Sequence, residues 1–177
     1  PMDWLPLSLL CAFSLASADA ATKAWLSDYS ARELALIRFG LTGLLMIPLL
    51  SGLGPISALP LQFWGWVLAL VPLEVAAMLL YMRAIRDHPL SLTLPYLAFT
   101  PVFVVLTGYL TLGERIGSRG LAGILLVVGG SWILNLKHAD LGNWRTWATP
   151  LTAIAHEPGS RMMLGVALLY SLTSAMS

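Results

Sequence analysis

The chain reads as an all-α protein, a polytopic bundle of transmembrane helices with five spans and the start of a sixth. Three observations predict this. Hydrophobic residues make up 58% of the 177 positions and charged residues 11%, against roughly a quarter charged in a soluble domain, and one core of that length cannot hide so much apolar surface. The apolar residues are grouped in runs at 4–22, 30–50, 61–82, 90–112 and 119–136, with another from 162. Each full run is near the ~20 residues that cross a hydrocarbon core as helix. In lipid every backbone polar group must be bonded within its element, so the runs are helices. Third, Phe13-Ser14-Leu15-Ala16-Ser17-Ala18 in the first run matches Tyr170-Ser171-Leu172-Thr173-Ser174-Ala175 in the last at four of six positions. Repeated spans of this kind hold substrate between two repeats in many transporters. The chain therefore reads as the first half of a duplicated carrier, stopping as the second half begins.

The first run resembles a signal peptide at Ala18-Asp19-Ala20, but the only early charge is Asp3, where a positive segment would be required. The repeat at 170–175 also marks it as a structural helix. Ala12, Ala16 and Ala20 recur at four-residue spacing, which suits close helix packing in lipid. Asp19 and Lys23 stand four apart near the end of the run, the spacing of an ion pair on one helix face. In the second run Arg38 sits two turns in, with Thr42 one turn beyond. It pairs with Glu74, grips an anionic group on a substrate, or snorkels to the nearer headgroups.

Glu74 is the strongest candidate in the third run, ~4 Å from mid-span at the helical rise per residue. Trp66, Leu70, Glu74, Met78 and Tyr81 share one helix face. An ionisable group at that depth costs about 2.5–3.5 kcal/mol and defaults to a functional candidate. Two roles fit: a protonatable carboxyl facing a cavity, or a structural carboxyl bonded to a neighbouring helix. The fourth run carries Thr93, Tyr96, Thr100, Thr107 and Thr111 along one face, interrupted by Pro95 and Pro101. Broken helices with freed carbonyls line carrier cavities, although threonine hydroxyls also bond their own backbone. Gly123, Gly129 and Gly130 thin the fifth run for packing. Residues 137–160, the longest polar stretch, read as an interfacial linker whose tryptophans suit the membrane–water boundary.

The remaining composition excludes several classes. A net charge of +1 offers no field for nucleic acid. One cysteine, Cys11, excludes an internal disulfide, and His88, His138 and His156 lack ligand spacing, so no metal site is expected. There is no G-x-S-x-G elbow, P-loop or H-E-x-x-H, so neither an enzyme nor a cofactor is expected.

The order of short motifs then adds a resemblance. Arg38-Phe39 is followed by Tyr81-Met82-Arg83-Ala84-Ile85, by Pro89-Leu90-Ser91-Leu92-Thr93-Leu94-Pro95, and by Phe99-Thr100-Pro101-Val102-Phe103. Leu112-Gly113-Glu114-Arg115 and a glycine-rich helix come next. Over residues 3–177 the chain resembles the EamA-type carriers of the drug/metabolite transporter superfamily. The resemblance implies residues 1–136 as the first five-helix repeat, 137–160 as a linker and 161–177 as the start of a second, inverted repeat. It also implies a ten-helix secondary carrier of small metabolites, an exporter in a bacterial inner membrane, using no ATP. A lone half leaves the inter-repeat cavity open, so a homodimer or a second-repeat partner is implied if the chain is truncated.

The resemblance places the N-terminus in the cytoplasm. The positive-inside rule favours the reverse, with Lys23, Arg32, Arg83, Arg86, Lys137, Arg145 and Arg161 on one side and Arg115 and Arg119 on the other. Glu74, Arg38, Tyr81, Thr93, Tyr96, Thr100 and Trp66 are the expected cavity residues, with the lipid bilayer and a small-molecule substrate as partners. The rival reading is a non-transporting membrane scaffold whose buried polar groups only join helices.

Overall fold

The computed structural model describes residues 4–50, 52, 59–113, 117–135 and 157–176. The Glu114-Arg115 turn, Lys137, Arg145 and most of the expected linker lie outside the described residues. Among the described residues the regular structure is helical throughout: α1 Trp4–Trp25, α2 Ala31–Leu50, α3 Leu61–Asp87, α4 Leu90–Thr93, a 3-10 stretch Leu94–Phe99, α5 Thr100–Leu112, α6 Ser118–Asn135 and α7 Pro158–Met176. The first three are long and apolar enough to cross a membrane, and shorter apolar stretches cover Leu94–Leu110 and Ser118–Ile133. Several helices outrun the apolar runs. α3 continues five residues past 82, and α7 begins before 162, because helical bonding persists through the polar interface where hydropathy falls.

Local chemistry sets the ends. Ser30 and Glu33 form a capping box at α2: the Ser30 N–H and Oγ donate to Glu33 Oε2 at 2.8 and 2.7 Å, and the Glu33 N–H donates to Ser30 Oγ at 3.3 Å. α3 stops at His88, extended at φ −128° and ψ 156°, the conformation Pro89 imposes on the residue before it. Pro95 and Pro101 lack the N–H groups a continuous α-helix needs, and the fourth run tightens to a 3-10 stretch between α4 and α5. Gly113 ends α5 in the left-handed region at φ +67°, which glycine enters without steric cost.

The packed core lies toward one end of the bundle. Ala31, Leu34 and Ala35 of α2 meet Tyr81, Met82, Ala84 and Ile85 of α3, with Tyr96 and with Met163 and Val166 of α7. α7 packs against α3, α5 and the 3-10 stretch. Close approach occurs where α7 passes α3. A Cβ on Gly159 would fall 2.5 Å from His88 Cγ, and one on Gly165 would fall 3.0 Å from Leu80 Cδ2. The stripes expected to pack tightly do not. Ala12, Ala16 and Ala20 are exposed, and a Cβ at Gly123, Gly129 or Gly130 would meet nothing within 4 Å. Small residues permit close contact, but a neighbouring helix must be there to use it.

Candidate functional site

Asp19 is the one buried residue of α1. Its position follows from chain geometry. Asp19 lies six residues before the end of α1, Arg38 seven after the start of α2, and Tyr81 six before the end of α3. At 1.5 Å per residue all three stand ~9–11 Å in from the same end of the bundle. There Arg38 Nη1 lies 2.9 Å from Asp19 Oδ1, with the two side chains 19% and 4% exposed. This contact is an ion pair without the alignment of a hydrogen bond. The Tyr81 hydroxyl donates to Asp19 Oδ2 at 2.5 Å. The Arg38 guanidinium carbon also sits 5.6 Å from the Tyr81 ring centroid, within cation–π range.

The expected Asp19–Lys23 pair is therefore replaced by Asp19–Arg38. Lys23 instead donates from Nζ to the carbonyl oxygens of Arg86 and His88, at 2.6 and 3.2 Å. Those carbonyls close α3, where the last turn lacks intrahelical donors and the helix dipole favours a cation. Lys23 is one turn nearer the interface than Asp19 and finds an acceptor at its own depth. Arg38, matched in depth to Asp19, takes the carboxylate, so the Arg38–Glu74 alternative is not realised.

Glu74 lies deeper. It is thirteen residues from the end of α3, and Tyr170 is twelve from the start of α7. Both are thus ~18–20 Å from the same end at the helical rise. Glu74 opens on a groove of about 360 Å³ lined with Leu70, Tyr170, Thr173 and Ser174. It is half-buried and has no ion pair among the described residues. Tyr170 of α7 stands across the groove from Glu74.

The other expected cavity residues separate. Trp66 shares the α3 face but is 46% exposed and outside the groove lining. Thr93 is fully buried, with its hydroxyl donated to the Pro89 carbonyl at 3.1 Å. Tyr96 is buried and stacked on Phe99, ring centroids 6.3 Å apart. Thr100 is half-buried beside the break, and none of these three lines the Glu74 groove. Thr107 donates within its own helix to Phe103 O and Val104 O, the self-bonding that threonine hydroxyls allow, and also reaches Ser171 O of α7 at 3.4 Å. The Pro95 carbonyl is taken up by Ser131 Oγ of α6. Thr173 and Ser174 line the groove, yet the sequence marks them only as part of a repeat. Among the described residues no three His, Cys, Asp or Glu side chains gather as a metal site.

Tyr81→Phe tests the first level. It removes the donor to Asp19 Oδ2 while keeping the ring beside Arg38, and a hydrogen bond to a charged group is worth about 1.5–3 kcal/mol. A loss of stability in that range is expected in detergent melts. A loss below about 0.5 kcal/mol, the range of an uninvolved surface change, would show that Asp19 is held by Arg38 alone.

Residues 2–136 match the family model described as EamA-like transporter family. No curated protein and no solved structure matches the chain.

Proposed function

Because the chain belongs to the EamA-like transporter family and is an integral membrane protein, we propose that it acts as a secondary carrier of small metabolites. In this reading it is an exporter in a bacterial inner membrane, with its N-terminus in the cytoplasm. Residues 1–136 form the first of two inverted repeats, and α7 opens the second. Access alternates across the groove between α3 and α7. A complete second repeat is supplied by further chain, by a second copy or by a partner subunit.

One observation carries the reading. At mid-depth of the bundle Glu74 stands without an ion pair among the described residues, on an open groove with Tyr170, Thr173 and Ser174. Carboxyls within a span mark substrate or proton pathways. Helix glue alone does not call for an open groove beside the carboxyl.

The test is uptake into inverted vesicles carrying the protein, with an imposed proton gradient and a panel of radiolabelled amino acids, nucleosides and sugars. Gradient-dependent accumulation above that of empty vesicles supports the carrier. Its absence across the panel, in the complete assembly, favours the scaffold reading, for which the ion-paired Asp19–Arg38–Tyr81 cluster is the supporting observation.

A further inference from the structure

A second open groove, of about 510 Å³, lies between α2 and α3, away from Glu74. Its lining divides by chemistry. Arg32, Arg83, Arg86 and Ser30 form one part, and Ala31, Ala76, Leu79 and Leu80 the other. On α3 the lining residues Ala76, Leu79, Leu80, Arg83 and Arg86 are spaced at helical intervals along one face. Over those ten residues, ~15 Å of helix at 1.5 Å each, the stripe passes from aliphatic to cationic. The cationic part is at the end of α3 and the first turn of α2, where the bundle meets the membrane–water interface.

Among the described residues no carboxylate lines this groove. Of the acids nearest in sequence, Asp28 is exposed, does not line the groove and enters no ion pair among the described residues, and the other two are engaged. Glu33 is held by Ser30 in the capping box, and Asp87 by Arg86 Nε at 2.6 Å. Arg32 and Arg83 are exposed and enter no ion pair among the described residues. Two cations thus face the groove without a partner, with a third whose Nε alone is taken.

We propose that this groove binds an anionic phospholipid. The headgroup phosphodiester accepts hydrogen bonds from Arg32, Arg83 and the terminal nitrogens of Arg86, a fork geometry that suits phosphate oxygens. The glycerol and upper acyl carbons run along Leu80, Leu79 and Ala76. Free phosphate shares the headgroup chemistry but leaves the aliphatic half of the groove unused, which selects lipid as the occupant. Basic pockets at the ends of membrane helices take anionic headgroups by the same physics. The site is independent of the carrier reading and of the orientation in the membrane.

The test uses the full purified chain in a neutral detergent, with thermal stability and lipid retention in native mass spectrometry as readouts. Phosphatidylglycerol, phosphatidylcholine with the same acyl chains, and inorganic phosphate are each titrated. Phosphatidylglycerol is expected to stabilise and remain bound, phosphatidylcholine to do so at least tenfold more weakly, and phosphate not to substitute. Arg32→Gln and Arg83→Gln are each expected to weaken phosphatidylglycerol binding about fivefold, the effect of one cation at a membrane surface, while Arg83→Lys retains most of it. Helical circular dichroism and gel filtration establish that the variants fold. If the glutamine variants do not fold, the lipid and phosphate comparison on the unaltered chain decides alone. Equal retention of the two lipids, phosphate matching phosphatidylglycerol, or folded glutamine variants with unchanged affinity would each overturn the proposal.

Discussion

Asp19→Asn is expected to destabilise the bundle by about 3–5 kcal/mol, the cost of removing one partner from a buried ion pair. The cause is the charge left behind. Arg38 is 19% exposed and, among the described residues, has Asp19 as its only anionic partner; an arginine alone within a span costs about 2.5–3.5 kcal/mol. Arg38→Gln should cost a similar amount, because it strands a carboxylate that is only 4% exposed. The double variant Asp19→Asn with Arg38→Gln removes both charges, so it should recover at least half of either single loss. Neutral hydrogen bonds between membrane helices average only about 0.6 kcal/mol, and that contrast makes the charge identifiable. Chemical unfolding in detergent of the four proteins of the cycle measures it. Single losses near 0.6 kcal/mol with no recovery in the double variant would show that the pair is solvated rather than confined.

Glu74→Gln should do the reverse, leaving stability nearly untouched and removing coupled transport. The amide fills the volume of the carboxyl, and Glu74 has no ion pair among the described residues to break. The change in stability should stay within about 0.5 kcal/mol, as for substitutions away from packed or paired groups. A glutamine cannot take up and release a proton, however. On the carrier reading, accumulation driven by a pH gradient should fall to the level of empty vesicles. Unchanged gradient-driven accumulation would dismiss Glu74 as the coupling group while leaving the family and the fold intact. The Asp19–Arg38 and Glu74 variants thus separate a structural cluster from a working one, although the two levels lie about seven residues, or ~10 Å, apart along α3.

Much of the site was legible through one rule, that ionisable groups within apolar runs are costly and must be accounted for. It singles out Asp19, Arg38 and Glu74, and helical spacing adds Tyr81 to the Glu74 face. Their pairing was not legible. Asp19 and Lys23 are neighbours along one helix, and sequence spacing favours that pair. The partner actually taken depends on depth, which depends on where α1 ends and α2 begins. The Ser30–Glu33 capping box that sets the start of α2 is itself readable in Ser30-Ala31-Arg32-Glu33, and it is the signal that would have placed Arg38 level with Asp19. For Thr93 and Thr107 the sequence leaves the partner open: Thr93 bonds its own first turn, and Thr107 reaches both its own helix and the Ser171 carbonyl of α7.

The repeated motif separates the two kinds of information most sharply. Phe13 to Ala18 and Tyr170 to Ala175 are nearly the same sequence, and each forms helix, as apolar composition and backbone bonding in lipid require. Their surroundings differ. Phe13 is 72% exposed and Ser14 is exposed, whereas Ser171, the counterpart of Ser14, is fully buried and Thr173 nearly so. In water an apolar face is driven inward and its burial can be read from its pattern. In lipid the surroundings are as apolar as the face, so composition does not tell which helix is enclosed. Hydropathy alone determined that these segments are membrane helices, and motif order pointed to their family. Which of two similar helices packs against α3, and therefore which residues line the Glu74 groove, was decided only by the tertiary fit of Gly159 and Gly165 against His88 and Leu80.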